Sequence, residues 1–437
     1  MGIVVFNQAI EIALCAVTQH LSSLPRNPII LRDLRGRIRI ALDASEENEK
    51  LKKSLTKLAD QLHPALGAFT YGKEHLFLFR EGVPDPKHFF KSADLIPLKV
   101  EGKKTIYLLE RLVTGQDWVS PADCVNDRQP QRFTFFGLKG GVGRSTVAAV
   151  WAWHLARNKY KVLVVDLDLE SPGVGSMLLP NDKLPEFGIV DWFVESMVGQ
   201  EALVVPAMVG KSTLPGTNEG WIRVVPAYGR GETDYMAKLS RCYQDLPTSS
   251  GRPVSWADRL ERMLDALEQQ ERPDVVLLDS RAGLHDISAV TVTRLGATAF
   301  LFAIHTPQTW MGYRHLFRHW QQRHTRPDQF RDRLQIVAGM IPDLDADHYL
   351  EGLREEFYRL FVDTLYEEGT DETAALFNFD LNDRSAPHTP WNVRWQIALQ
   401  GFDPVNRPNR VPEQILQAAF GEFFERADLL LPQLPAS

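Results

Sequence analysis

Cysteine is scarce: Cys15, Cys124 and Cys242 are the only three in 437 residues, and they lie far apart. With no CxxC and no Cys/His cluster, the chain lacks a disulfide framework and the paired thiols of a structural zinc site or iron–sulfur carrier. A reducing compartment, the cytoplasm, is the expected location. Long apolar runs are missing too. None reaches the roughly 18 residues that a spanning helix needs, so no membrane insertion is expected. The apolar start is interrupted by Glu11 and has no basic lead, so no signal peptide is expected. An excess of positive charge is also absent. At a formal net charge of −7, attraction to nucleic acid or anionic lipid would require a local basic patch. No internal repeat is visible.

What remains is ordinary globular material, 44% hydrophobic and 24% charged, in a chain long enough for two or three domains. Residues 1–125 read as a small α+β domain. Helical spacing of Ile10, Leu14, Val17, Leu21 and Leu24 precedes an alternating stretch, 29–42, that predicts a strand. A charged amphipathic helix over 46–62 should end before Pro64, and 75–79 and 105–109 predict further strands. Up to residue 130 there are 18 Lys/Arg against 16 Asp/Glu and no catalytic constellation. An interaction domain for a protein partner is the expectation. Residues from Cys124 to Gln131 predict a polar linker.

From 132 onward, apolar strands alternate with helices, the pattern of a parallel α/β sheet. Strands are predicted at 133–137, 161–166, 222–226, 274–279, 297–303 and 334–340, with helices at 145–157, 255–270 and 312–324. This domain should span 132–345. Residues 346–437 predict a C-terminal extension packed on it, with a helix at 349–366, an irregular covering stretch at 377–411 and a packing helix at 413–431. That last helix has an acidic polar face, the wrong sign for a membrane surface.

Between the first of these strands and its helix lies Leu138-Lys139-Gly140-Gly141-Val142-Gly143-Arg144-Ser145-Thr146. A strand, a glycine-rich turn and a helix N-terminus present inward-facing N–H groups and a partial positive charge to a phosphate chain. Measured against GxxxxGK[ST], Leu138 replaces the first glycine and Arg144 the lysine. Arginine keeps the charge but is longer and planar. A second apolar run, 162–165, leads into Asp166-Leu167-Asp168. A third, 275–278, leads into Asp279-Ser280-Arg281-Ala282-Gly283. Carboxylates at such strand ends beside a P-loop suit Mg²⁺-bound water and an attacking water.

The KGGxGK[ST] pattern, with Arg144 in place of its second lysine, the DxD and the later aspartate, in this order, resemble the ParA/MinD-type P-loop ATPases, whose P-loop deviates from the usual form (the SIMIBI class). The resemblance covers about residues 132–342. It implies a P-loop NTPase α/β fold, ATP and Mg²⁺ as cofactors, and hydrolysis coupled to a switch between monomer and sandwich homodimer. By the same resemblance Lys139 reaches across the dimer to the partner's nucleotide. Gly140, Gly141, Val142, Gly143, Arg144, Ser145 and Thr146 hold the phosphates, and Ser145, Asp166 and Asp279 stand on the magnesium side. Asp168 orients the hydrolytic water, Gly283 senses the γ-phosphate, and the base lies near Met340-Ile341-Pro342-Asp343. Arg144 opens an alternative: a nucleotide-binding scaffold with little or no hydrolysis.

Arg314, Arg318 and Arg323, with His315, His319, His324 and Arg326, form a basic tract that either binds DNA non-specifically through phosphates or is a solvated helix face. Trp310, Phe317 and Trp320 on or just before that helix read as core. Arg281 pairs with Asp166 or contacts phosphate; the pattern leaves both open.

Overall fold

A computed structural model describes residues 4–46, 49–92, 94–118, 129–214, 220–247, 253–323, 327–367, 376–407 and 411–433. The stretch 119–128, which holds Cys124 and most of the expected linker, lies outside them, as do His324 and Arg326. The described residues form two compact units, one made of residues up to 118 together with Arg323 and the other of the rest.

The N-terminal unit is a five-stranded mixed sheet with two main helices, Phe6–Gln19 and Glu49–Leu66. Its strands are β1 (Ile29–Arg32), β2 (Ile38–Ala41), β3 (Phe77–Leu78), β4 (Ile96–Glu101) and β5 (Lys104–Glu110), in the order β3-β2-β1-β5-β4. The single strand expected over 29–42 is instead an antiparallel hairpin. Asp33 Oδ1 accepts the backbone N–H groups of Arg35 and Arg37, and Gly36 takes φ +78°, so the chain turns where alternation alone suggested continuity. The second helix does not stop before Pro64 but runs through it to Leu66. Leu62 and Leu66 are both fully buried, and their burial holds the last turn despite the lost amide donor.

The second unit is built on an eight-stranded sheet. Its strands are β6 (Gln131–Gly137), β7 (Lys161–Asp166), β8 (Gly210–Lys211), β9 (Trp221–Val225), β10 (Val275–Asp279), β11 (Thr298–Ala303), β12 (Leu334–Ile341) and β13 (Trp391–Arg394). They run in the order β13-β12-β11-β6-β10-β7-β9-β8, parallel except for β8. Central parallel strands are buried on both faces, and β10 shows the consequence in its side chains. Val275 and Leu277 join the core on one face with Phe133, Trp151 and Phe300, while Val276 and Leu278 join the other with Leu163, Trp192 and Leu260. Continuous runs such as 275–278 are therefore what two-sided burial requires. The helix Trp256–Glu271 starts in a reciprocal cap, with Ser255 and Asp258 exchanging side-chain and backbone hydrogen bonds.

The C-terminal residues supply part of this sheet. The expected irregular stretch contains β13, which pairs parallel with β12. Four residues set among Asn, Asp and Pro carry too little periodicity to be seen, and their partner lies about fifty residues earlier. The helix Glu413–Ala427 covers one face, where Phe423 packs edge-on to Trp151 (5.7 Å between centroids) and Phe300 (5.2 Å). Asp428 then accepts from Trp151 Nε1 at 3.0 Å, tying this end to the helix Arg144–Arg157. The fold is thus a mostly parallel sheet flanked by helices, with a glycine-rich turn after β6 and aspartates at the ends of β7 and β10.

Candidate functional site

The glycine-rich turn leaves β6 and enters the helix Arg144–Arg157 with no side-chain cap. Gly143 occupies the cap position at φ +93° and Gly141 takes φ +76°, conformations that favour glycine over any residue with a Cβ. The turn is also supported from below by a residue the motif does not contain. A Cβ on Gly339 of β12 would lie 2.6 Å from the carbonyl oxygen of Val142, so only glycine lets the strand approach the loop this closely. The signal was a glycine inside an apolar strand, which marks close backbone approach.

Sheet register brings the carboxylates together. β10 and β7 pair in parallel so that Asp279 stands opposite Asp166, both at strand ends and both buried. Asp166 Oδ2 accepts the N–H groups of Gly173 and Gly175, each at 3.1 Å, while its Oδ1 is buried without a partner. Burial, then the neighbouring Asp279 charge, push the Asp166 carboxyl well above its usual range. Neither carboxylate oxygen of Asp279 completes a hydrogen bond. Burial pushes its pKa up to about 6, against the opposing pull of the Arg144 guanidinium and the Ser145 hydroxyl. Asp168 is raised by burial and drawn down by Arg144, whose Nη2 lies 3.8 Å from its Oδ2.

Arg144 itself is buried, and its Nη1 donates to the carbonyl oxygen of Ser280. It therefore joins the glycine turn to both carboxylate-bearing loops. Lys139 is partly buried and donates to Gln308. Gly283 has φ +89°, and its N–H donates to the Gly137 carbonyl at 3.0 Å. Arg281 pairs with neither Asp166 nor any other aspartate of the cluster; its partner is Glu170 at 2.7 Å. Glu170 was not singled out by sequence. Its only signal was its place two residues after the DxD. At the proposed base region, Met340 takes φ +53°, and the pairing of β12 with β13 shifts between Ala338 and Ile341.

Three or more His, Cys, Asp or Glu side chains arranged to hold a metal ion do not occur among the described residues. Mg²⁺ does not need such a cage. It keeps several waters and takes few protein ligands. Asp279 fits that use, because two buried acceptors without donors suit a hydrated cation better than an apolar core. Ser145, in the first turn of the helix, is only partly buried and would be the neighbouring ligand.

The basic tract separates on the helix Pro307–Arg323. Arg314 is exposed and paired with Glu356 at 2.8 Å, and Arg318 is exposed. Arg323 is mostly buried and faces Glu110 at 3.6 Å. Phe317 and Trp320 are fully buried and Trp310 packs on Phe357, as expected of core residues. No helix among the described residues is long and apolar enough to cross a membrane.

The family model described as "ParA: NUBPL iron-transfer P-loop NTPase" matches residues 132–204, which hold β6, the glycine turn and both aspartates of the DxD. That segment is similar to the ParA family, and the match supports an ATPase-like nucleotide site. No curated protein matches the chain in sequence. Among solved structures, pNOB8 ParA bound to nonspecific DNA is 16% identical, with the match covering 69% of this chain and 99% of that one at a TM-score of 0.41. The MinD cell division protein of Aquifex aeolicus is 14% identical, covering 70% and 100%, TM-score 0.40. A ParA family ATPase from Chlorobium tepidum TLS is 14% identical, covering 53% and 81%, TM-score 0.35.

Proposed function

We propose that this chain, with its ParA-type segment over residues 132–204, is an ATP- and Mg²⁺-dependent ATPase acting as a nucleotide-controlled dimerisation switch. The observation that carries the proposal is Asp279: a fully buried carboxylate with two unpartnered oxygens, register-paired with Asp166 and beside a glycine turn at a helix N-terminus. A purely structural aspartate in that position would leave its desolvation only partly offset, by Arg144 and Ser145.

In this reading the N–H groups of residues 140–146 bind the phosphate chain. Ser145 directly, and Asp279 and Asp166 through water, would hold Mg²⁺, which supplies neutralisation of phosphate charge. Asp168 orients the attacking water. It is held near Arg144, so the guanidinium and the carboxylate are placed by the same contact. Lys139, partly buried, would exchange its contact with Gln308 for a second protomer's nucleotide. Size exclusion with and without ATP tests the dimer. Asp168→Ala should leave ATP binding intact and reduce phosphate release at least ~100-fold. Unchanged turnover in that variant would reject the assignment.

A second reading, a nucleotide-binding scaffold with little hydrolysis, is favoured by Arg144. Its guanidinium is already engaged with the Ser280 carbonyl and close to Asp168, so the γ-phosphate meets a bridging group rather than a free lysine. Catalysis is sensitive to sub-ångström displacement. A several-fold rise in phosphate release in Arg144→Lys would support the scaffold; a fall would support a working arginine. DNA contact through Arg314 and Arg318 would require Arg314 to exchange Glu356 for a phosphate. The N-terminal unit is the proposed docking module for a protein partner.

A further inference from the structure

The loops that follow β7 and β10 leave the sheet side by side, because Asp166 and Asp279 are register partners. Glu170 lies two residues beyond Asp168 on the first loop, and Arg281 two residues beyond Asp279 on the second. Arg281 Nη1 is 2.7 Å from Glu170 Oε1, and the Tyr243 hydroxyl donates to the same oxygen at 2.5 Å. One carboxylate oxygen thus receives a donor from the opposite loop and a donor from a third element.

That third element is itself anchored. Arg259 is fully buried and its Nη1 donates to the carbonyls of Cys242 (3.4 Å) and Gln244 (2.8 Å), the residues on either side of Tyr243. Its Nε donates to Ser196 Oγ at 3.1 Å, and its Nη2 donates to the Phe193 carbonyl. The Tyr243 ring lies against Trp256 (5.8 Å) and edge-on to His285 (5.2 Å), which follows Gly283 on the second loop. Tyr235 adds a second tie to the first loop by donating to the Leu169 carbonyl. The second loop is braced from its other side, where Ser288 Oγ donates to the Arg281 carbonyl at 2.8 Å.

We propose that Glu170 is a positioning residue that couples the Asp168 loop to the Arg281–Gly283 loop and ties both to the post formed by Tyr243. Its consequence for turnover rests on the ATPase reading; the coupling itself does not. An ion pair that only stiffened its own loop would loosen that loop alone when broken. A shared tie loosens both.

Hydrogen exchange read by mass spectrometry on the full chain without nucleotide separates these cases. Glu170→Gln should speed exchange about fivefold or more at both 167–172 and 280–285, with the helix Glu413–Ala427 unchanged as a fold control. Arg281→Gln should give the same two-loop pattern, and the double variant should add little to either single. Acceleration confined to the substituted loop, or absent from both, would overturn the coupling. In phosphate release, Glu170→Gln should lower kcat about tenfold with KM within about twofold; an unchanged kcat would overturn the positioning role. Failure of the wild-type chain to bind ATP with Mg²⁺ in calorimetry would instead reject the nucleotide reading and leave the exchange result standing.

Discussion

In the N-terminal unit, Glu110 is buried and its carboxylate receives two nitrogens of Arg32. At the end of β10, Asp279 is buried and receives none. The first arrangement is what a fold does with charge it must bury. Arg32 also lies 3.8 Å over the Phe6 ring, so the pair is packed as well as neutralised. The second leaves desolvation only partly offset, by the Arg144 guanidinium and the Ser145 hydroxyl, and suits something that brings positive charge. Arg144 shows that a cation is present nearby, yet it is turned toward the Ser280 carbonyl and Asp168 rather than onto Asp279. Burial alone therefore does not distinguish the two charges; their hydrogen-bond partners do.

The contrast breaks most visibly at the matched pair. Arg32→Ala should destabilise the N-terminal unit by about 3 kcal/mol, because it removes both hydrogen bonds to the buried Glu110 and leaves it only Arg323 at 3.6 Å; calorimetric unfolding of the full chain reads the loss, and a change under about 1 kcal/mol would mean that the pair contributes little. Asp279→Asn should do the reverse. The carboxyl is raised from its ordinary value to about 6, so its favourable contribution is complete below about pH 4 and is lost as pH rises through about 6. The variant, which has nothing to ionise, should match wild type near pH 4 and exceed it by ~2–3 kcal/mol at pH 8, while losing Mg²⁺-dependent nucleotide binding. Equal stability at both pH values would show that the carboxylate is not strained. The smallest effect is expected at Arg157 and Glu413, paired at 2.7 Å but largely exposed. Arg157→Ala should change unfolding by under about 1 kcal/mol. A larger loss would mean that the C-terminal helix depends on charge rather than on Phe423 and its neighbours.

Much of the second unit was legible because two-sided burial writes itself into sequence. Runs such as 162–165 and 275–278 are apolar at every position, and the residue that ends each run is where the chain meets the site. The glycine turn was equally plain, since Gly141 and Gly143 hold φ values that other residues rarely adopt. Short or non-local features were not. β13 is four residues long and pairs across a large sequence gap. The turn at Asp33–Gly36 depends on side-chain acceptance by Asp33, which alternation cannot report.

By itself the sequence determined the order of parts: a strand, a glycine turn, a DxD, a later aspartate, each placed by local periodicity or by backbone requirements of glycine. Which of those charges would be satisfied was decided only in three dimensions. Arg281 could have met Asp166, but register set Glu170 in its reach instead, at 2.7 Å. Arg144 found a carbonyl from a loop 136 residues away. Asp279 and Asp166 became neighbours because β10 and β7 pair in that register. Partner choice depends on distance and desolvation between segments remote in the chain, and no local pattern encodes either.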